Sequence, residues 1–253
     1  LKLILKEIDL IDNENLNEKN ITSRVTKQKT QSKSLLSIEN LNYQYEGRNS
    51  FKLIDINLSI NKGKKIAITG TTGSGKSTLF YLILGLVKPT SGGTFFNGVN
   101  IFDDLNKWRK VIGYISQNIF LLDGSIKKNI SFNFLDDTID EKRLKTSIQI
   151  ADLSEKISSL EKGFETQVGT DGLAFSGGER QRIAIARAVY KDPEIFFMDE
   201  FTSALDTKTE DKIISNFHKY LPNSTMVMIA HRKETIEKCD EVWKIQDGRL
   251  IKL

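Results

Sequence analysis

Between residues 54 and 60 the apolar side chains of Ile56, Leu58 and Ile60 fall at every second position, the period of a strand that buries one face. Ile38 to Tyr45 has the same texture, and the two segments read as antiparallel strands. Beyond the turn Asn61-Lys62-Gly63-Lys64 the pattern becomes a short apolar run, Lys65-Ile66-Ala67-Ile68-Thr69, suited to a parallel strand covered on both faces. A helix is expected over Thr78 to Val87, then a break at Lys88-Pro89-Thr90-Ser91-Gly92-Gly93. A short strand Thr94-Phe95-Phe96, the turn Asn97-Gly98 and a strand from Lys110 to Ile115, ending at Ser116-Gln117, follow.

Residues 118–175 lose strand character and carry helical spacing around Ser125 to Asn129, Glu141 to Ala151 and Leu153 to Leu160, which marks a helical insertion. Alternation then resumes: helix Glu179 to Tyr190, strand Ile195 to Met198, helix Thr207 to Leu221, strand Thr225 to Ile229. A closing strand pair follows around Glu241 to Ile245 and Arg249 to Ile251. Such alternation predicts an α/β fold with a mostly parallel sheet and helices on both its faces. Residues 1–35 differ, with an amphipathic piece up to Ile11 and then a polar tract. They read either as a leader or linker or as a disordered tail, and residues 36–253 as the globular part.

Composition narrows the field. A chain of 253 residues with net charge +4 and lysines scattered among acids has a solvated surface, which gives nucleic-acid binding little support. One cysteine, Cys239, rules out an intrachain disulfide framework, and two histidines, His218 and His231, make a zinc site a poor fit. Cys239 is expected to be a small buried or half-buried filler. The longest apolar stretch, Leu79 to Val87, is far short of the ~20 residues that span a bilayer. The start, Leu1 to Ile8, is too charged for a secretory signal, and a first residue other than Met suggests a fragment or a processed chain.

The chemistry concentrates first at Gly70-Thr71-Thr72-Gly73-Ser74-Gly75-Lys76-Ser77, followed by Thr78, which fits the phosphate-loop pattern at every fixed position. Glycines let the backbone close round a dense anion, successive N–H groups form a nest, and the helix that follows presents its positive end. Lys76 is placed for the β- and γ-phosphates and the Ser77 hydroxyl for Mg²⁺. At the end of a buried apolar strand stand Asp199 and Glu200, a candidate Mg²⁺ holder and a candidate base for an attacking water; a solvated strand end is the plainer alternative. Ser176, Gly177 and Gly178 open a helix and make a second anion site or, more simply, a helix cap with Glu179 in its first turn.

Phe175-Ser176-Gly177-Gly178-Glu179 resembles the L-S-G-G-Q signature of ATP-binding cassette (ABC) ATPases. Tyr45 matches that family's adenine-stacking aromatic, with Tyr43 the weaker candidate; Gln117 matches its Q-loop glutamine. Ser203-Ala204-Leu205-Asp206 matches the D-loop, and His231 the switch histidine. The resemblance extends over everything beyond the leader. It implies a P-loop NTPase core with an antiparallel β subdomain and a helical subdomain at 118–175. It further implies an ATPase using ATP and Mg²⁺, with Lys76, Gln117, Glu200 and His231 at the reaction and Ser77, Gln117 and Asp199 organising the metal. In that family two domains pack head to tail, so Ser176, Gly177 and Gly178 would serve the nucleotide held by a second copy, with Asp206 of the D-loop a further nucleotide-binding residue.

Thr166-Gln167-Val168-Gly169-Thr170-Asp171-Gly172 resembles the exporter T-x-V-G-E-x-G segment that meets an attached transmembrane domain, and Ile112 to Ile130 is similar to bacterial lipid-linked oligosaccharide flippases. The expectation is an exporter domain at the cytoplasmic face of the inner or plasma membrane. The competing readings are an importer-type or soluble ABC ATPase and a regulatory module that binds ATP without hydrolysing it. Departures from the pattern are Thr170 for Glu, Phe175 and Glu179 in the signature, and Phe201, expected to crowd the D-loop.

Overall fold

Two sheets meet back to face because one is apolar on one side and the other on both. The computed structural model describes residues 34–45, 52–132, 139–172 and 174–253; the leader reading falls on residues 1–33, outside them. In the first sheet β1 (Leu36–Gln44) pairs antiparallel with β2 (Lys52–Ile60) and β4 (Ser91–Phe96), and β4 pairs with the short β5 (Val99–Asn100). The partners Leu36 with Ile60, Ile38 with Leu58 and Leu41 with Ile56 put one apolar row on the inner face.

The second sheet runs β10 (Arg249–Lys252), β9 (Glu241–Gln246), β3 (Lys65–Thr69), β8 (Thr225–Ile229), β7 (Ile195–Asp199), β6 (Ile112–Ile115), parallel throughout except for the β10 edge. Its strands read as unbroken apolar runs because successive side chains enter different cores. From β7, Ile195 and Phe197 join the core shared with the antiparallel sheet, and Phe196 and Met198 join the core under the helical insertion. Val227 and Ile229 of β8 divide from Met226 and Met228 in the same way. Between β3 and β4 lies α1 (Lys76–Ile83).

One expectation fails. The apolar stretch after Lys110 was expected to be strand, but α2 (Leu105–Val111) occupies its first part and β6 begins only at Ile112. Asp104 caps α2 by accepting from the Lys107 N–H at 2.8 Å, and Arg109 and Lys110 sit in its last turn, where cations suit the helix dipole. The helix is one apolar residue deep: Trp108 is buried, packs against Phe96 and Phe197 with ring centroids 5.1 and 6.2 Å away, and donates its indole N–H to Ile83 O at 3.0 Å. α1 also stops earlier than expected, ahead of Gly85, whose φ of +71° suits the end of a helix and whose missing Cβ leaves room for Leu105.

The insertion contributes α3 (Ile126–Ser131), α4 (Glu141–Ile150) and α5 (Ser154–Ser158), which share a core with α6 (Gly177–Tyr190). A single bridge, Ser125 to Gln167, is all the isolated strand pairing it shows among the described residues. Two more helices follow, α7 (Thr207–Tyr220) and the short α8 (Lys233–Ile236). Cys239 is half-buried, donates to Thr235 O at 3.4 Å, and burial pushes its thiol up to about 11. Among the described residues no helix is long and apolar enough to cross a membrane.

Trp108→Ala should cost about 3–5 kcal/mol of unfolding free energy, while Trp108→Phe, which keeps most of the packing and drops the hydrogen bond, should cost about 1–2 kcal/mol. Urea unfolding monitored by circular dichroism distinguishes them; equal losses would mean that ring packing does not hold α2 in place.

Candidate functional site

The loop from Gly70 to Gly75 joins β3 to α1, and its shape follows from residues that accept unusual backbone angles. Gly75, at the N-cap, has φ +106° and contributes no side chain to the helix start. The first N–H groups of α1 therefore have no side-chain cap and face outward; Leu79 N to Gly75 O, at 2.8 Å, is where the helical ladder begins. Gly70 lies against the rest of the loop so tightly that a Cβ there would stand 2.6 Å from Ser74 Oγ and 2.8 Å from Ile245 O. Thr71, Thr72, Gly73 and Ser74 line one side of an open recess of about 660 Å³, with the β9–β10 hairpin on the other. Lys76 folds over the loop and donates to Gly70 O at 2.9 Å and Thr71 O at 3.0 Å. Burial lowers its pKa, against the opposing pull of Glu200 and Asp199. Tyr45 joins this neighbourhood from β1: its hydroxyl is 3.2 Å from Thr78 Oγ1, and its ring stands edge-on to Tyr43 at 4.9 Å.

Asp199 and Glu200 emerge where β7 ends, and they emerge differently. Asp199 is buried, the Ser77 hydroxyl stands beside its carboxyl, and its Oδ1 accepts nothing. Burial raises its pKa and the Glu200 charge raises it further, with Ser77, Lys76 and His231 opposing. A buried carboxylate oxygen without a donor, beside a hydroxyl and the Lys76 amine, suits a hard cation such as Mg²⁺. Among the described residues no group of three or more His, Cys, Asp or Glu could enclose a metal. A cation here would thus draw on Ser77 and Asp199 together with ligands from bound phosphate.

Glu200 takes φ +46°, a left-handed angle that a side chain with a Cβ rarely adopts. The turn swings its carboxylate between two other elements. Gln117, just past β6, donates through Nε2 to Oε2 at 2.7 Å, and His231, just past β8, lies with Nε2 2.9 Å from Oε1. A carboxylate only accepts, so His231 Nε2 carries the hydrogen. Gln117, Glu200 and His231, far apart in sequence, thus form one polar cluster at the carboxyl ends of adjacent strands. Phe201 does not crowd the D-loop: it is buried in the core with Leu205, and the loop closes with Ser203 N to Glu200 O and Leu205 N to Thr202 O, both 3.0 Å.

Ser176, Gly177, Gly178 and Asp206 are gathered elsewhere. They line a recess of about 460 Å³ with Ala204 and Leu205, and none of its lining residues is shared with the recess at the phosphate loop. Ser176 caps α6, accepting from Glu179 N, while the Glu179 carboxylate accepts from Ser176 N at 2.8 Å, a reciprocal capping box. Asp206 caps α7 and accepts from Thr209 N at 3.0 Å and Thr209 Oγ1 at 2.7 Å. Those bonds lower its pKa. Sequence reading missed Gln181, wholly buried one turn into α6, which accepts from Ala204 N at 2.9 Å and holds the D-loop to the signature helix. Its polar side chain at a position followed by the apolar Ile183, Ala184 and Ile185 was the available signal.

Known proteins resemble this chain in sequence and fold. The chain is 36% identical over 220 residues to the ATP-dependent lipid A-core flippase of Vibrio vulnificus (strain CMCP6), covering 87% of this chain and 38% of that protein. It is 37% identical over 218 residues to ABC transporter B family member 21 of Arabidopsis thaliana, covering 85% of this chain and 17% of the relative. Among solved structures, that of a bacterial Atm1-family ABC exporter with ATP bound superposes with a TM-score of 0.78 at 29% identity, covering 96% of this chain and 43% of that one. This chain therefore spans less than half the length of each of these relatives. The family model described as ABC transporter matches residues 53–203, from β2 through the D-loop serine, and on that match this chain belongs to the ABC transporter family, of which it carries the ATPase domain.

Proposed function

We propose that the chain is the nucleotide-binding domain of an ABC exporter, which hydrolyses ATP to ADP and phosphate with Mg²⁺ at sites shared between two copies packed head to tail. The observation that carries this reading is the division of the site. One protomer holds a phosphate loop with Lys76 and Glu200 beside it, and separately a second nest at Ser176 to Gly178 whose recess shares no lining residue with that of the loop. Two-fold packing would bring the second nest of one copy onto the first nest of the other.

In this assignment Thr71 to Ser77 surround the phosphates with backbone N–H groups, Tyr45 stacks on the base, and Lys76 and the start of α1 offset the transferring charge. Bound Mg²⁺, held by Ser77 and Asp199 with Gln117 nearby, would supply charge neutralisation at the β- and γ-phosphates. Glu200 accepts the proton of the attacking water as its oxygen closes on the γ-phosphorus and the bond to the β-phosphate oxygen breaks. His231, held on Glu200, reaches the γ-phosphate, and Ser176, Gly177, Gly178 and Asp206 act on the partner's nucleotide.

With this domain placed at the cytoplasmic face of the inner or plasma membrane, an attached membrane domain would have a surface to act on. A groove of about 550 Å³ lies between β6, α3 and α6, lined by Tyr114, Ile130 and Phe132 with Arg109, Arg143 and Lys191 at its rim. Phe132 is 57% exposed. The Thr166 to Gly172 segment runs beside α3, tied by Ile126 N to Thr166 O at 3.0 Å and Val168 N to Gly124 O at 2.9 Å. Apolar area of this kind on a family whose members move membrane cargo fits docking by a membrane-domain element.

Glu200→Gln should retain ATP binding, lower turnover by about 10²-fold or more and accumulate an ATP-dependent dimer on gel filtration. Turnover at the wild-type rate in a phosphate-release assay would remove Glu200 from the role of base. A shared site also requires specific activity to rise with protein concentration; a flat value across a hundredfold dilution series would mean that each protomer works alone.

A further inference from the structure

The two halves of the divided site are joined inside each protomer by a continuous path of side-chain hydrogen bonds and short stretches of backbone. It begins beside His231. The next residue, Arg232, donates through Nη1 to Glu210 Oε2 and through Nη2 to Leu205 O at 3.1 Å. Glu210, in the first turns of α7, is 3% exposed, and its other oxygen accepts from Thr235 Oγ1 at 2.5 Å. From Leu205 the line passes along the chain to Ala204, whose N–H is held by Gln181 on α6. There the D-loop lies so close to the signature that a Cβ on Gly178 would sit 3.1 Å from Ala204 O. α6 carries Ser176, Gly177 and Gly178 at its start.

A carboxylate this buried is costly unless paired and hydrogen-bonded, and such pairs contribute more to defined geometry than to net stability. The fork of a guanidinium is what allows one side chain to grip a carboxylate and a backbone carbonyl together; a lysine amine on a flexible stem could keep the first contact without fixing the second. Glu210 therefore holds Arg232 in place, and Arg232 fixes the backbone of the D-loop to the segment that bears His231.

We infer that Arg232 is a positioning residue, anchored by Glu210, that makes the His231 segment, the D-loop and the signature nest shift as one body. His231 faces the nucleotide bound by its own protomer and the nest faces the nucleotide of the partner. The γ-phosphate state of one site thereby sets how the other site is completed, and the cooperativity in ATP that a shared site entails depends on Arg232. This rests on the shared-site reading above, and adds to it the route by which the two sites communicate. The warrant is a contiguous set of contacts between elements that both sites engage.

The test is the ATP dependence of steady-state hydrolysis by the whole chain and two variants. Arg232→Lys keeps the charge opposite Glu210 but not the fork. Gln181→Met breaks the line at its other joint while leaving Glu210 and Arg232 intact. Wild type should give a Hill coefficient above one. Both variants should bring it to about one, with kcat reduced about tenfold, the middle of the range for allosteric couplings, and the half-saturating ATP concentration little changed. Circular dichroism melting checks that each variant is folded, and either one that folds suffices. A folded variant with the wild-type Hill coefficient and kcat overturns the inference. So does hyperbolic ATP dependence in a wild type whose specific activity still rises with protein concentration. If that activity is instead flat with concentration, the shared-site reading itself fails.

Discussion

A strand covered on both faces can present polar groups only at its ends, and this constraint organises the rest of the molecule. β3, β7 and β8 bury every side chain but that of Thr69, and their large apolar residues divide between the two cores. The polar residues that follow them, the phosphate loop after β3, Asp199 and Glu200 at the end of β7 and His231 just beyond β8, consequently surface along one edge of the sheet. Parallel pairing puts those ends side by side. The cluster of Gln117, Glu200 and His231 is the geometric product of that edge.

This explains which parts were legible in the sequence. Lys65 to Thr69 and Ile195 to Asp199 were readable because a run buried on both faces tolerates no polar interruption until it ends. The phosphate loop was readable because its backbone shape dictates glycines. α2 was not: its seven residues bury essentially one side chain, Trp108, too few to establish a helical period, and its last residues merge with the apolar run of β6. The leader has no counterpart among the described residues. Gln181 and Glu210 escaped for a different reason, since buried polar side chains whose partners lie many residues away leave no local period and each alone looks like an ordinary polar position on a helix; Arg232, between a strand and a helix, belongs to no period at all.

The strained backbone at Glu200 is part of the same economy of placement. A strand end that continued in extended geometry would send successive side chains to opposite faces. The left-handed turn at Glu200 breaks that rule and lets Asp199 remain beneath Ser77 while Glu200 reaches across to two neighbouring strands. Strain of this sort persists where surrounding contacts over-determine it, and here the loop hydrogen bond from Ser203 N closes directly on the Glu200 carbonyl.

Glu179 is where this chain departs most visibly from the usual signature, and its surroundings decide what that departure does. A carboxylate at the mouth of an anion nest would ordinarily repel a triphosphate. Burial alone would raise its pKa, but bonds to Lys156 and to Ser176 outweigh that and hold it ionised, with Lys156 Nζ 2.8 Å away. Its charge is therefore balanced internally, between α5 and α6, and the acidic side chain adds little repulsion of its own to the nest at Ser176 to Gly178. On the shared-site proposal, a partner's nucleotide would then be sorted at this position by shape and donor geometry more than by the charge that Glu179 brings to the signature.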